Sequence, residues 1–576
     1  TRSEDRQLFL VGDDPLGHLY ETEDADALRK ILGQRYHVVV ANPPYITVKD
    51  PGLNQLYRER FGTCKGKYSL VCPFTERLVD LCEQPGPDGR GTTGWLGAIV
   101  SNAFMKAEYG SRLVEAFLPK WDLTHVLDTS GAYIPGHGTP TVILLIRGRK
   151  PLGETVRAVM GIRGEPTPPE NAANGLVWSE IAGLMDRATG KGSFVSVSDV
   201  ERERFAKHPW TLGGGGAAEL KVCLDEKAEA LLGTEAASIG ISSVTGEDDL
   251  YIVGTRANAR RLRLEDNRTL VVGDNCRDWS ITGADRAIWP YDSELRLRTL
   301  AELPLSHRVL WICRAAISKR KRFGTPMLER GLAWYEWQEL YADKLRTPLS
   351  ITFAFVATSN HFILDRGGKV FKQTAPVIKL PPTATEGDHL ALLGLLNSST
   401  GCFWLKQVCF NRGVGGIGGG IGDEGWEPRF NFNAAQVEDF PVPSSSVAAV
   451  PLTACLDTLA RDHTSHLPPA LLSSSHAAPT RASLDTARDA AAVLRRRQIA
   501  LQEELDWQVY TLYGLLEDDL TYEAHGGPGA VPEVALGERA FEIVLARAMA
   551  AGEVETKWFE RHGSMPVTEV PARWPS

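Results

Sequence analysis

The chain has 576 residues, 43% of them hydrophobic and 23% charged, with a formal net charge of −9. That length suits three or four domains of roughly 150 residues each, and the acidic balance excludes a surface that binds nucleic acid throughout while leaving room for a local basic groove. The nine cysteines include no CxxC pair, which speaks against a zinc ribbon and fits reduced thiols in a cytoplasm; no metal site, signal peptide or apolar run of membrane-spanning length is expected.

In chain order, Leu8 to Val11 read as a short strand closing on Gly12, Asp13 and Asp14. Residues 21–34 have helix-forming composition with apolar residues on one face, a helix that should cross back over a sheet and deliver its central strand. That strand lies in the stretch HVVVANPPY, His37 to Tyr45. Val38 to Ala41 form the kind of apolar run that makes a strand buried on both faces of a parallel sheet. Two prolines stop it. Pro43 and Pro44 fix their own φ and push Asn42 and Pro43 into extended conformations, so the strand ends in a stiff loop. At the carboxyl end of a sheet strand, where open α/β folds place their ligands, such a loop presents the Asn42 amide, backbone carbonyls and the Tyr45 ring, with no nucleophile or strong base.

That set of groups suits the activation of an exocyclic amine. The lone pair of such an amine is drawn into its aromatic ring, and acceptors that bind both N–H groups favour the pyramidal, localised form. Asn42 Oδ1 and the Pro43 carbonyl are two such acceptors, aimed at the charge developing on nitrogen. Tyr45 would stack on a base taken out of a duplex. The plainer alternative is an ordinary strand-ending turn.

Further along, residues 68–83 read as a helix carrying Phe74 and Glu76, ended by the loop from Pro85 to Gly89. A strand over 96–100, a helix near 109–118 and a hairpin-like pair over 124–128 and 141–147 follow. The loop joining that pair holds Tyr133, which packs or meets a base, and His137, which binds a phosphate or is simply solvated. From Pro151 to Gly216 the composition shifts to Gly, Pro, Ala and Thr, with a β-rich piece near 153–160; residues 217–235 read as helical. Short apolar runs punctuated by Gly, Asp and Pro then indicate an irregular β-rich domain. It carries clustered cations (Arg256, Arg260, Arg261, Arg263, Arg314, Lys319, Arg320, Lys321, Arg322) interleaved with Trp311, Phe323, Trp334, Tyr335 and Trp337. Such a surface grips phosphates and probes base edges, with Lys319 to Arg322 as the candidate DNA contact; a solvated charged face is the alternative. The glycine run from Gly413 to Gly425 lacks a GK[ST] ending and reads as a loop near DNA. Residues 444–480 read as a linker or loose helix pair, and 481–515 as one long helix.

The stretch Asn42-Pro43-Pro44-Tyr45, with its ordered flanks from Leu8 to Ile146, resembles the amino-methyltransferases that methylate adenine N6 and share the motif [DNS]PP[YFW]. The resemblance implies a partial Rossmann-like class I methyltransferase sheet and S-adenosylmethionine as methyl donor. It also implies that Asp13, or its rival Asp14, bonds the adenine of the cofactor, that the helix with Phe74 covers the cofactor side, and that Tyr133 is the second aromatic at the target base. In that class a glycine-rich strand and loop come earlier, and no FxGxG-like segment stands ahead of Asp13, so the expectation is the carboxyl-terminal portion of a longer protein. Val272 to Asn275, Trp289 to Tyr291, Trp334 to Trp337, Leu392 to Ser399 and Phe440 to Pro443 are similar to target-recognition segments of large adenine methyltransferases.

Taken whole, the chain is most similar to the carboxyl-terminal half of the adenine methyltransferases of phage growth limitation and BREX defence systems. This implies methylation of adenine N6 in host duplex DNA, partner proteins of the defence complex, and no membrane. The expected architecture is α/β: a partial catalytic domain over 1–150, a β-rich (α+β) target-recognition domain over 151–443, and a linker with a helical carboxyl-terminal region over 444–576. A bifunctional restriction–modification polypeptide and a non-catalytic DNA-binding scaffold are the competing readings.

Overall fold

The computed structural model describes residues 25–576 apart from 87–88, 137, 265, 323, 413–425, 475–477, 523–530 and 575–576. Asp13, Asp14, His137, Phe323 and the glycine run thus lie outside the described residues. The chain forms two compact units, the first extending to Ala218 and the second beginning at Glu219.

The first unit is built on one sheet. Helix α1 (Ala25–Gly33) leads into strand β1 (Val38–Ala41); helices α2 (Pro51–Arg60) and α3 (Val71–Asp80) follow, then β2 (Trp95–Ser101), β3 (Asp122–Asp128), β4 (Thr141–Arg147) and β5 (Thr155–Gly161), helix α4 (Leu176–Leu184), and strands β6 (Thr189–Lys191) and β7 (Val195–Glu201). The seven strands lie in the order β1-β2-β4-β3-β5-β7-β6. β1 runs parallel to β2 and β3 parallel to β5, while β4 is antiparallel to both β2 and β3. β1, β2 and β3 therefore point the same way and release their following loops at one edge of the sheet.

Two expectations change here. β1 was to be buried on both faces, yet Val40 is 81% exposed and Val38 is exposed as well, because among the described residues β1 pairs only with β2 and stands at the sheet's edge. Val39, pointing the other way, packs against the core of Tyr68, Val71, Leu96, Ala98 and Val100. The boundary near residue 150 also moves. β5 and β7 extend the same sheet, and a strand cannot leave its ladder without stranding backbone donors, so the unit runs on to Ala218.

The second unit carries several small sheets, as the punctuated apolar runs predict. One four-stranded sheet joins Phe362–Asp365, Ser350–Phe353, Val377–Lys379 and Ser238–Gly240; another joins Ile252–Gly254, Asp285–Ile288, Asn267–Val271 and Lys369–Phe371. The helix Glu386–Asn397 is buried continuously from His389 to Leu396 and needs cover on every side. The helices Val450–Ser465 and Arg481–Leu512 supply it: Leu452, Leu456, Leu501, Leu505 and Val509 share one core with Phe353, Phe362 and Leu393. Of the two readings of 444–480, a helix pair is what forms, Val450–Ser465 and Pro468–Ser474, the first of them part of the core, and the region after 444 belongs to the same unit as the sheets. No disulfide joins the nine cysteines, and no described helix is long and apolar enough to cross a membrane.

Candidate functional site

β1 ends at Ala41 opposite Ala98 of β2, and the chain then turns out of the sheet through Asn42, Pro43, Pro44 and Tyr45. Pro43 is buried and anchors the loop, whereas Asn42 and Pro44 are exposed and Tyr45 is half-buried. The Tyr45 hydroxyl lies 2.7 Å from Asn42 Oδ1 and 3.3 Å from the carbonyl oxygen of Ile99 on β2. Burial raises the Tyr45 phenol above its ordinary value, so the hydroxyl keeps its proton and donates. An amide oxygen has two lone pairs. With one engaged by Tyr45, the Asn42 amide is held in one orientation and no described group takes the other lone pair. No described group donates to the Pro43 carbonyl.

The loop is pinned downstream too. Leu70 N–H donates to Ile46 O at 2.9 Å and Thr47 bridges to Ser69, so the chain just past Tyr45 is stitched to the start of α3. Phe74, one turn into α3, is 37% exposed, and Ile46 is exposed beside that junction. The arrangement sets an amide oxygen, a carbonyl and apolar side chains at the carboxyl edge of the sheet. Tyr133 sits in the loop after β3, at the same edge but roughly 14 Å along it by strand spacing, and is partly buried.

A feature that sequence reasoning missed lies next to this loop. A 480 Å³ cleft is lined by Thr47, Lys49, Asn54, Gln55, Arg58 and Lys67 among others. Helix α2 forms one wall, with none of its residues fully buried. The Asp50 carboxylate caps it by accepting from Leu53 N–H at 2.7 Å, and Pro51 opens its first turn. Asp-Pro at such a position is a helix-start signal and could have found it. Arg58 leans on the Gly66 carbonyl at 2.5 Å, Glu59 is engaged by Gln55, and Lys49 and Lys67 have no carboxylate partner among the described residues.

The four predicted cations of the second unit divide. Arg320 is only 7% exposed: its guanidinium donates to the carbonyls of Thr245, Ile317, Trp334 and Glu336 and lies over the Tyr251 ring. Arg322 pairs with Glu339 at 2.6 Å. Both serve the fold, because a run through a short β-turn sends alternate side chains inward. Lys319 and Lys321 are exposed. Trp289, Tyr291 and Trp337, read as parts of a recognition surface, are likewise buried and pack edge-to-face on one another. A 710 Å³ cavity in the same unit is lined by His361, Arg495, Gln498, Gln502 and Asp506 among others, and by Asn397, Ser398 and Ser399 from one of the segments expected to take part in target recognition.

Residues 13–134 match the family of Eco57I restriction-modification methylases, and residues 498–576 match a domain of unknown function, DUF7008. Over its whole length the chain is 43% identical to the adenine-specific methyltransferase PglX of Streptomyces coelicolor, covering 48% of that protein. It is 27% identical to the type II methyltransferase M.XhoI of Xanthomonas vasicola over 49% of each. The chain thus spans about half the length of these curated relatives. Among solved structures, the type IIL restriction-modification enzyme MmeI in complex with DNA aligns with 84% of this chain and 55% of its own at 13% identity and a TM-score of 0.48.

Proposed function

We propose, from a chain homologous along its whole length to an adenine-specific methyltransferase, that this is the motif-bearing and target-recognition portion of a site-specific DNA adenine N6-methyltransferase. Its first unit is read as part of a Rossmann-like class I methyltransferase sheet. Its methyl donor is S-adenosylmethionine, its substrate duplex DNA in the cytoplasm, and its setting anti-phage defence of the BREX type, alongside other proteins of that system. The observation that carries the reading is the Tyr45–Asn42 hydrogen bond, which fixes an amide oxygen at the mouth of a proline-stiffened loop.

In this reading the target adenine leaves the duplex and its N6 amine donates one N–H to Asn42 Oδ1 and the other to the Pro43 carbonyl. Both acceptors favour the nitrogen as its lone pair localises, and neither has to reorganise as positive charge develops. The half-buried Tyr45 ring offers a face to the base while its hydroxyl orients Asn42. Tyr133 closes on the base from the loop after β3. The residues present suit the donor: Phe74 and Ile46 are exposed at the junction of the loop with α3 and offer apolar cover there, and Asp13 or Asp14 would add an acceptor for its adenine. S-adenosylmethionine, when bound there, supplies an electrophilic methyl group. Lys49, Arg58 and Lys67 line a cleft suited to the phosphates flanking the extruded nucleotide.

The test is methyl transfer by the full-length protein and its Asn42→Ala variant, read as N6-methyladenine in DNA. Removing a donor or acceptor that acts mainly in the transition state costs about 10²–10³ in turnover, so the variant should lose transfer while keeping its affinity for DNA. Equal turnover in the two proteins would overturn the assignment, and no transfer from the parent would favour a scaffold.

A further inference from the structure

From Leu303 to Leu328 the second unit has no acidic residue, yet it holds Arg308, Arg314, Lys319, Arg320, Lys321 and Arg322. With Arg320 and Arg322 committed to the fold, four cations remain. Arg308, Arg314, Lys319 and Lys321 are exposed and have no carboxylate partner among the described residues. In their midst the helix Pro304–Ile312 turns its buried side, Ser306 and Leu310, to the core and its opposite side outward. Ile312 is 84% exposed and Trp311 51% exposed. Arg308, at i−3 and i−4 from them, shares their face.

This tip is braced from behind. His307 meets Trp311 edge-on at 5.3 Å, Trp334 meets it at 5.9 Å, and the Arg314 guanidinium lies 4.5 Å from the Trp311 ring centre and 5.7 Å from that of Trp334. An indole and a β-branched side chain are thereby presented at the end of a helix on a rigid support, although leaving them in water is unfavourable. A tip whose own stretch of chain carries only positive charge is complementary to a polyanion, whereas the centres of protein–protein interfaces are depleted of charge. Apolar side chains projecting from a basic surface are what DNA-kinking proteins insert between base steps.

We infer that Trp311 and Ile312 form a wedge that enters bound DNA and unstacks a base step, with Arg308, Arg314, Lys319 and Lys321 holding the flanking phosphates. The inference rests on the DNA-binding part of the proposed function and not on methyl transfer. Deformation at that step would add selectivity that no hydrogen bond to a base supplies, because pyrimidine–purine steps unstack more readily than others.

The experiment uses the full-length protein and the duplex it selects from a random pool, a selection that needs no catalysis. Single 2-aminopurine reporters are placed at each step in turn. The parent should raise reporter fluorescence at a step other than the extruded adenine. Trp311→Ala/Ile312→Ser should abolish that second signal and weaken binding about tenfold, the scale of one missing base–aromatic stack. Ile312→Ser alone makes no packing defect at 84% exposure and should reduce the same signal with an unchanged thermal midpoint. Arg308→Gln/Lys319→Gln/Lys321→Gln should lower the salt dependence of binding and keep the signal. A parent that brightens only the extruded adenine, or a double variant that keeps both signal and affinity, overturns the wedge. A parent that methylates nothing but brightens a second step overturns the enzymatic reading alone.

Discussion

Asn42 to Tyr45 and Lys319 to Arg322 are both four-residue stretches whose side chains suit contact with DNA, and the fold uses them in opposite ways. In the first, the two prolines hold the backbone so that the amide oxygen faces outward and its only described side-chain bond is to its own neighbour three residues on. In the second, half of the charge turns inward: Arg320 ties together four backbone carbonyls, one of them 75 residues back in the chain, and Arg322 is held by Glu339. The difference separates two kinds of information. Stiffness from proline acts within the residues that carry it and can be read from four letters. Whether a cation is free depends on partners that only the fold brings near.

The sharpest way to break this comparison is at Arg320. Arg320→Met removes the guanidinium that lies over the Tyr251 ring and donates to the carbonyls of Thr245, Trp334 and Glu336; Gln338 N–H still reaches the first and the Tyr251 hydroxyl the last, and Trp334 O loses its described donor. An acceptor left unpaired costs about 1–3 kcal/mol, so with one carbonyl orphaned and two weakened the second unit should lose about 2 kcal/mol and unfold several degrees lower. Lys321→Met, next in sequence but exposed, should stay within about 0.5 kcal/mol. Equal midpoints for the two variants would return Arg320 to the DNA-contact group.

Asp506 extends the same inward use of charge. Burial pushes its carboxyl from an ordinary 3.8 up to about 7, with the Ser399 N–H, at 2.6 Å, opposing the shift. A carboxylate whose folded-state value is raised contributes stability that is complete below its unfolded value and is lost as pH rises through the folded one. Relative to Asp506→Asn, the parent should therefore become less stable between about pH 4 and 7. His361, lowered to about 4 by burial, titrates in both proteins and cancels in the difference. Parallel stability curves for parent and variant would count against the shift.

What the sequence made legible follows the same division. β1, its proline loop, the β3–β4 pair and the long helix from Arg481 were readable because periodicity and proline act locally. The outer boundary of the sheet was not, since β5 and β7 join it across a composition shift that reads as the start of a new domain. Nor was the helix Val450–Ser465 readable as core: its need to be buried is set by the all-round apolar helix Glu386–Asn397. In the site, the acceptors were visible and the brace was not. Tyr45 was expected to offer a ring, and its hydroxyl bond to Asn42 needs the loop's curvature, which the residue types alone do not give.

Tyr45→Phe sharpens that point. It retains the ring for stacking and removes the proton that orients Asn42. A hydrogen bond of this kind is worth about 0.5–1.5 kcal/mol, so turnover should fall up to about tenfold with DNA affinity unchanged, and Tyr45→Ala should lose more by losing the face as well. Because the phenol is raised above its ordinary value, the parent should show no loss of turnover from Tyr45 ionisation near neutral pH. If Tyr45→Phe matches the parent in turnover, the proline corner alone positions the amide.

The smallest effect is expected where charge near the loop is outward. Lys49, Arg58 and Lys67 line a cleft beside a segment stitched to the motif, and the helix that carries Arg58 has no fully buried residue. Changing all three to Gln should leave stability near that of the parent and turnover at saturating DNA unchanged. The plot of log affinity against log salt should flatten by about 0.9 for each phosphate no longer neutralised. These cations resemble Lys319 and Lys321 in exposure and differ from them in standing beside the groups that would act on the base. A flattened slope with altered position of methylation would place them at the nucleotide's own phosphates, whereas an unchanged slope would make the cleft a solvated face and leave DNA to be gripped elsewhere.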